Sequence, residues 1–271
     1  MLVGRVAPVI ATLFFAVAVG AQPTPPVLGQ DGKDVVWVPT PEALTTKMLD
    51  LARVTAADTV LDLGSGDGRL VIAAAKRGAR ARGIEYTTSL VELSRKAAQA
   101  AGVAQRAVFE KADLFEADLS WASVITLFLG PELNAKLLPK LLNLKPGTRI
   151  VSNTHPIGDW PADAQIESTD DVKSVYYRSA RLWVVPARVA GSWILSISIG
   201  GELELKQRYQ SVTGTLRING RTMAISQGSL SGAKLTFVAA GARYEGEVDG
   251  GNIRGQRHVS GRVISWRAQK F

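Results

Sequence analysis

The 271-residue sequence contains no cysteine, and this absence removes several kinds of site at once. Without thiols the chain has no disulfide framework, no thiolate zinc site and no cysteine nucleophile. Histidine is almost as scarce, because only His155 and His258 occur. Two histidines are too few for a histidine-rich metal site, so we expect no bound metal.

The sequence also lacks a long run of basic residues, although the chain is basic overall. Its 32 Lys and Arg residues outnumber its 24 Asp and Glu residues, which gives a formal net charge of +8 and a pI near 9.8. Such a charge favours acidic partners, such as nucleic acid, anionic lipid or an acidic protein. Because the basic residues are scattered, we favour a well-mixed soluble surface and expect no nucleic-acid partner.

An apolar segment near the beginning of the sequence is shorter than a typical membrane-spanning helix. One positive charge, Arg5, precedes an almost wholly apolar stretch over 6–21, and a proline-rich stretch follows. This order predicts a signal peptide over 1–21, cleaved after Ala21, with a short uncleaved membrane anchor as the alternative. Either interpretation predicts a periplasmic or secreted protein, or one anchored in the inner membrane. A flexible linker is expected over 22–36.

A glycine-rich turn between an apolar stretch and a helical pattern is the most informative part of the chain. Residues 60–70 read VLDLGSGDGRL, which predicts a strand, a tight loop and the beginning of a helix. Glycines at 64, 66 and 68 allow positive φ and close approach of a ligand. We expect bare backbone N–H groups here to hold a negative group. A dinucleotide fingerprint would need a third glycine at position 69, which is arginine, and a phosphate-binding loop motif is also absent.

Strand and helix patterns alternate over residues 37–186 and predict a doubly wound, mostly parallel sheet. Thr40 is the predicted N-cap of a first helix, with Pro41 at its first position. We expect a loop over 161–171, and strands at 175–177 and 182–185 that complete the sheet. Ligands bind beyond the carboxyl ends of the strands in such sheets. The loops expected at that edge are 64–68, 85–86, 113–115, 129–132 and 152–160.

The spacing D-x-G-x-G-x-G over residues 62–68 resembles motif I of the class I S-adenosylmethionine (SAM)-dependent methyltransferases. Over about 36–186 the chain is similar to small, membrane-tethered mitochondrial protein-lysine methyltransferases and their bacterial relatives. The matching stretches include V-P-T-P (38–41), G-I-E-Y (83–86), L-G-P-E-L-N (129–134), L-K-P-G-T-R (144–149) and G-D-W (158–160). The resemblance implies methyl transfer from SAM to a protein lysine. The chain departs from the relatives at Asn153, where they read closer to V-S-H and this sequence reads V-S-N.

The resemblance also implies the residues of a SAM site. The glycine loop would hold the methionine part of SAM, with Asp62 near its ammonium group. Glu85, 19 residues after Gly66, is placed to accept both ribose hydroxyls. Asp113 would accept from the adenine amino group while Leu114 or Phe115 covers the ring. The complete predicted cofactor set is Thr40, Asp62, Gly64, Ser65, Gly66, Glu85, Tyr86, Asp113, Leu114 and Leu129.

Methyl transfer is an in-line displacement at a sulfonium carbon, so the protein mainly positions the two partners. A lysine nucleophile must arrive neutral, which calls for an apolar or aromatic channel that lowers its pKa. The predicted catalytic residues are Asn153 and Glu132, as polar guides, and Trp160, as a channel wall. Other candidate wall residues are Trp37, Phe128, Leu129 and Pro131. For each aromatic residue, a place in the core is the alternative.

The hydropathy period changes to two over residues 190–271. Turn signals recur every 8–12 residues or so, which predicts an antiparallel meander of about seven or eight strands, a barrel or a sandwich. The region shows neither a useful helical pattern nor a catalytic constellation. It could recognise the protein substrate, bind a small apolar ligand or shield the first domain.

We therefore expect a SAM-dependent methyltransferase that acts on a protein lysine. One alternative is a methyltransferase for a small molecule or lipid. Another is an exported, non-catalytic binding protein on a methyltransferase scaffold. An exported enzyme would need SAM outside the cytosol, which favours the non-catalytic alternative, whereas the set of Asp62, Gly64, Gly66 and Glu85 opposes it.

Overall fold

A computed structural model describes residues 27–30, 32–167, 179–196 and 200–271. The predicted signal segment over 1–21 and the predicted strand at 175–177 lie outside the described residues. Among the helices in the described part of the chain, none is long and apolar enough to cross a membrane.

The first part of the chain is built on a seven-stranded sheet. Its strands are β1 (Thr59–Leu63), β2 (Arg80–Glu85), β3 (Ala107–Lys111), β4 (Val124–Leu127), β5 (Arg149–Asn153), β6 (Ala164–Glu167) and β7 (Ser179–Val184). They lie in the order β3-β2-β1-β4-β5-β7-β6. Strands β1 to β5 are parallel, and β7 is antiparallel to both β5 and β6. The predicted doubly wound, mostly parallel sheet is confirmed.

Within the described residues, four helices cover this sheet and create an apolar core on each face. They are α1 (Glu42–Leu51), α2 (Arg69–Lys76), α3 (Thr88–Ala100) and α4 (Pro131–Leu141). Residues of α1, α2 and α3 share one core cluster, whereas α4 contributes to a second cluster on the other face. Strand β4 is buried along its whole length, as expected for a central parallel strand. The layers place the carboxyl ends of β1, β2 and β4 at one open edge.

Two local predictions for this part are wrong. Helix α1 begins at Glu42, and its N-cap is Pro41 with no side-chain cap hydrogen bond. Thr40 does not cap the helix, because its Oγ1 accepts a hydrogen bond from Asn153 Nδ2 instead. The stretch predicted as a loop over 161–171 contains β6, a short edge strand whose Ile166 packs against the core.

The second part of the chain is a closed antiparallel barrel. Its strands are β8 (Gly191–Ser196), β9 (Gly201–Arg208), β10 (Ser211–Ile218), β11 (Arg221–Ala224), β12 (Ser226–Ser231), β13 (Lys234–Ala239), β14 (Ala242–Asp249), β15 (Asn252–Val259) and β16 (Arg262–Lys270). Eight of them form a ring, because β8 pairs with both β9 and β16 while β10 pairs with both β9 and β12. Strand β11 pairs with β10 outside this ring. Because the ring is closed, this part is a barrel and not a sandwich, the two alternatives that the sequence predicts.

The interior of the barrel is filled by side chains. Trp193, Phe237, Tyr244 and Trp266 are each 1% exposed or less. The rings of Phe237 and Tyr244 stack with their centroids 4.7 Å apart, and Trp266 meets both rings edge-on. Such a packed aromatic core stabilises the barrel by burial.

Candidate cofactor and acceptor site

A cleft opens at the carboxyl ends of β1, β2 and β4, where the topology predicts ligand binding. All ten residues of the predicted cofactor set line this one cleft. They come from the ends of β1 and β2, from the loops after β1, β2, β3 and β4, and from the segment before α1. The sheet therefore brings together residues that are up to 89 positions apart in the sequence (Thr40 to Leu129).

The loop after β1 needs its glycines for two physical reasons. The φ angles of Gly64, Gly66 and Gly68 are +74°, +54° and +81°, as predicted, in a region that favours glycine. A Cβ atom on Gly66 would also lie 2.6 Å from Trp37 Nε1, and one on Gly64 would lie 2.6 Å from Leu129 Cδ2. The backbone thus approaches the cleft more closely than any larger residue would allow.

The expectation of bare N–H groups in this loop is wrong at several positions. The N–H groups of Gly64 and Ser65 both donate to the carbonyl of Ile84, at 2.9 and 3.0 Å. The N–H of Gly66 donates to Glu85 Oε2 at 3.0 Å. The end of β2 therefore satisfies these donors. What the loop offers a ligand is mainly the close approach of its glycines and the Ser65 hydroxyl, and not unpaired amide N–H groups. The buried Ser65 Oγ has no hydrogen-bond partner.

Asp62, the residue before the end of the central strand β1, is a buried acid at the floor of the cleft. It is only 3% exposed, and its Oδ1 accepts a hydrogen bond from Thr126 Oγ1 at 2.6 Å. Burial raises the pKa of Asp62 to about 7, and although the Thr126 bond lowers it, the negative charges of Glu85 and Asp67 raise it further. A cationic group entering the cleft would favour the ionised carboxylate, so this environment suits an ammonium or sulfonium ligand.

Glu85 ends β2 on the same edge and is held at both carboxylate oxygens. Its Oε2 accepts from Gly66 N, and its Oε1 accepts from Thr87 N at 2.8 Å. The side chain lines the cleft and is 9% exposed. Each carboxylate oxygen retains a further lone pair, so the fixed carboxylate can accept from a pair of neighbouring hydroxyls.

The segment before α1 covers one side of the cleft, although part of it is predicted as a linker. Residues 32–36, predicted as part of a linker, line the cleft together with Trp37. The Lys33 ammonium forms an ion pair with Asp113 and lies 4.9 Å from the centroid of the Tyr86 ring. The Lys33 bond, and then the N–H of Phe115, lower the pKa of Asp113. The apolar run beside the linker, V-V-W-V, is the signal that could have indicated a packed segment.

The acceptor side of the cleft is formed around the ends of β4 and β5. Phe128 lines the cleft, and its ring stacks on His155 with centroids 6.0 Å apart and an interplanar angle of 19°. Burial, and then the charge of Arg181, lower the pKa of His155. The fully buried Asn153 donates to Thr40 Oγ1 at 3.2 Å and accepts from Thr154 Oγ1. Asn153 thus reaches the cleft through Thr40 and is not among the residues that line it.

The other two predicted catalytic residues lie outside the lining of the cleft. Glu132 is exposed on the first turn of α4, so solvent and not the cleft surrounds its carboxylate. Trp160 is 2% exposed, and its Nε1 donates to Gln210 Oε1 of the barrel at 2.9 Å. The core alternative therefore applies to Trp160, which belongs to the contact between the two parts of the chain. Pro131, a predicted wall residue, is also exposed outside the lining.

The strand order, the glycine loop after β1 and the acidic residue ending β2 together define a class I SAM-dependent methyltransferase. The cleft fits the cofactor, because it offers a buried acid for a cation, a fixed carboxylate for hydroxyls and apolar walls for an adenine ring. A family model described as the ANTKMT methyltransferase domain matches residues 62–164. This range contains the glycine loop, Glu85, Asp113 and Phe128.

Two relatives illustrate the similarity. A protein-lysine N-methyltransferase from Saccharolobus islandicus is 41% identical over 139 residues, which are 50% of this chain and 86% of the relative. The mouse (Mus musculus) adenine nucleotide translocase lysine N-methyltransferase is 38% identical over 116 residues, which are 42% of this chain and 51% of the relative. This chain belongs to the family of SAM-dependent methyltransferases that includes the Saccharolobus protein. It spans only about half of the mouse relative.

A solved structure agrees with this assignment. The RNA methyltransferase from Salinibacter ruber, determined with S-adenosyl-L-homocysteine (SAH), is 44% identical to this chain with a TM-score of 0.52. The similarity covers 56% of this chain and 96% of the Salinibacter chain. The protein is therefore a methyltransferase that uses SAM.

Proposed function

We propose that this enzyme transfers the methyl group of SAM to lysine side chains of a protein. The observation that carries the proposal is the apolar and aromatic wall of the cleft, formed by Trp37, Phe128, Leu129 and Leu133 next to the cofactor residues. A lysine side chain that enters such a wall loses hydration, and this favours the neutral amine that methyl transfer requires. The two relatives named above are lysine methyltransferases, which supports the same acceptor.

The residues of the cleft have separate roles in this proposal. When SAM is bound, it supplies an electrophilic methyl group, so no covalent enzyme intermediate is needed. Asp62 would pair with the ammonium group of the cofactor, and Glu85 would accept from its ribose hydroxyls. Phe128 and Trp37 would exclude water from the acceptor amine and align it with the methyl group.

The acceptor class can be tested with radiolabelled SAM. The purified enzyme is incubated with [methyl-³H]SAM and cytosolic or envelope fractions of the source cells. The labelled product is then divided into three portions, which are treated with protease, treated with RNase or extracted for lipids. We expect protease-sensitive label that mass spectrometry locates on lysine. Label in RNA, in the lipid extract or in small molecules would overturn the proposal, as would no label at all.

A matched pair of variants makes this experiment specific. Glu85→Gln alters a carboxylate that lines the cleft, whereas Glu132→Gln alters one that is exposed outside it. At a SAM concentration below the wild-type Kd, labelling should fall about 10- to 100-fold in the first variant and be kept in the second. Loss in both, or in neither, would mean that the label does not report on this cleft.

We also propose that residues 1–21 carry the chain to or across the inner membrane, cleaved after Ala21 or retained as an anchor. The support is the order of Arg5, the apolar stretch over 6–21 and the proline-rich residues after it. Fractionation with N-terminal sequencing tests this. A protein that begins at Gln22 in the periplasmic or secreted fraction indicates cleavage, and an intact one in the membrane fraction indicates an anchor. An intact protein in the cytosol would contradict the proposal.

A further inference from the structure

We propose that the turn of the β9–β10 hairpin, Tyr209 and Gln210, is a positioning element for the loop after β5. Through this loop the barrel sets the acceptor side of the cleft, in particular His155 and the Phe128 ring beside it. The structural part of the inference stands on contacts alone. Its effect on turnover rests on the proposed function.

The hairpin turn holds the distal end of this loop first at Asp159. The Tyr209 hydroxyl donates to the Asp159 carboxylate, and Arg208 Nη2 lies 2.7 Å from Asp159 Oδ2. These two bonds lower the pKa of Asp159, with Tyr209 the larger cause. The Tyr209 ring also stacks on the indole of Trp160, with centroids 6.0 Å apart and an interplanar angle of 20°.

Gln210 completes the contact by using both ends of its amide. Its Oε1 accepts from Trp160 Nε1 at 2.9 Å, and its Nε2 donates to the carbonyl of Pro161 at 2.8 Å. Three consecutive residues of the hairpin, 208–210, therefore engage three consecutive residues of the loop, 159–161. Trp183 Nε1, in β7, donates to the carbonyl of the loop residue Trp160. Trp160 therefore connects the hairpin turn to a buried strand of the sheet.

The backbone of the hairpin turn is unusual for its residue types. Tyr209 has a φ of +55°, in the left-handed region that large residues rarely adopt. Asn219, Ala240 and Ser260 also have a positive φ at the first position of their two-residue turns, but a glycine follows each of them, whereas Gln210 follows Tyr209. Among these residues Tyr209 is the bulky one, and its ring and hydroxyl contact Trp160 and Asp159 on the other part of the chain.

The proximal end of the same loop is fixed at the cleft. Asn134 Nδ2 donates to the carbonyl of Pro156 at 3.1 Å, and Arg181 Nη1 donates to the carbonyl of Thr154 at 2.7 Å. Thr154 has a φ of +58°, and the tight turn at this residue directs His155 onto Phe128. Trp160 N donates to the carbonyl of Ile157 at 3.1 Å, which joins the distal contact to the segment that carries His155. We therefore expect a change at 159–161 to reach His155 through this link.

The histidine content of the chain provides a direct measurement of this coupling. Only His155 and His258 are present, so histidine-selective labelling gives one NMR ring signal from each. The His155 signal senses the ring current of Phe128, and the exposed His258 on β15 is the internal reference. Tyr209→Gly removes the ring and the hydroxyl, and it relieves the left-handed backbone. Asn219→Gly makes the same kind of turn change at a distant hairpin, where φ is +51°, and serves as the control.

We expect Tyr209→Gly to move the His155 signal and leave the His258 signal in place, while Asn219→Gly moves neither. Tyr209→Phe keeps the stack and should retain most of the wild-type His155 shift. An unchanged His155 signal in Tyr209→Gly overturns the inference, whatever the acceptor is. If that variant does not fold, Gln210→Ala decides the question by the same measurement.

Kinetics supply the second readout, with the total protein of the cell extract as acceptor probe. In Tyr209→Gly we expect kcat/KM for extract protein to fall about tenfold, because small displacements at a reacting pair are costly, while the Kd for SAH stays within about twofold. Parallel losses in acceptor turnover and SAH affinity would indicate a merely structural role and overturn the inference. If the wild type labels no protein, the proposed function fails, and the NMR result still decides the positioning role.

Discussion

Replacement of the buried acid Asp62 should change the stability of the protein and its affinity for the cofactor in opposite directions. Its pKa is about 7 in the folded chain, against an ordinary value of 3.8, mainly because of burial. The folded state therefore holds the proton more tightly than the unfolded state. The contribution of Asp62 to the free energy of unfolding must then fall as the pH rises from about 4 to about 7, and this contribution must stay level above that range.

The magnitude follows from the same two pKa values. The interval from 3.8 to about 7 corresponds to an upper limit of about 4 kcal/mol of lost stability once Asp62 is ionised in both states. Asp62→Asn removes the ionisation and keeps an oxygen that can accept from Thr126. We expect the variant to match the wild type near pH 4 and to be more stable at pH 8 by up to that amount.

The same substitution should weaken cofactor binding. A charge-assisted hydrogen bond to the cofactor ammonium contributes about 1.5–3 kcal/mol, so Asp62→Asn should raise the Kd for SAH about 10- to 150-fold at pH 8. Urea unfolding followed by circular dichroism at pH 4 to 8 measures the stability, and titration calorimetry with SAH measures the binding. A more stable protein that binds less SAH is the expected combination.

Asp58 is the matched control, because its pKa moves in the opposite direction. Burial raises the pKa of Asp58, but hydrogen bonds from Thr55 and Ser123 and the charge of Arg149 outweigh it and lower the pKa overall. Asp58→Asn should therefore destabilise the protein at neutral pH, and the difference should fade as the pH falls below about 4. An Asp62→Asn variant that is less stable at pH 8, or equally stabilised at pH 4 and 8, would refute the reasoning.

Three further substitutions test other parts of the site. Gly66→Ala places a Cβ atom 2.6 Å from Trp37 Nε1, on a residue whose φ is +54°. Calorimetry should therefore show at least a tenfold loss of SAH affinity. Near-wild-type affinity would contradict the close packing. In Glu85→Gln the new amide N–H₂ group faces the N–H of Gly66 or Thr87, so two donors meet. The Kd for SAH should therefore rise about 10- to 100-fold. An unchanged Kd would show that Glu85 is not part of the site. Trp160→Ala should lower the free energy of unfolding by about 3–5 kcal/mol in urea melts. The folded variant should keep its SAH affinity within about twofold, because Trp160 lies outside the cleft. A large loss of affinity would show that Trp160 belongs to the site.

The parts of the site that the sequence predicts are those encoded locally. The turn from β1 into α2 needs glycine at fixed positions, and Glu85 ends the next strand at a characteristic distance, so both are visible in one stretch of sequence. Sheet topology then brings the ends of parallel strands to one edge. This is why the ten predicted cofactor residues line a single cleft.

The remaining features depend on partners far apart in the sequence. Lys33 pairs with Asp113 across 80 residues, and Trp160 pairs with Gln210 across 50. A lone tryptophan in a polar loop has the same local signal whether it lines a cleft or meets a second domain. Strand β12 is hidden for a different reason, because it is polar and buries only Leu230.

The pairing of β16 with β8 determines when the second part of the chain can be completed during synthesis. Residues 267–270 pair with 193–196, so the ring cannot close until the last strand has left the ribosome. The seven-stranded sheet ends at Val184 and has all its strands available earlier. A nascent chain would therefore present a finished cofactor fold while the barrel is still open, and loss of β16 alone would leave β8 and β15 with unpaired edges.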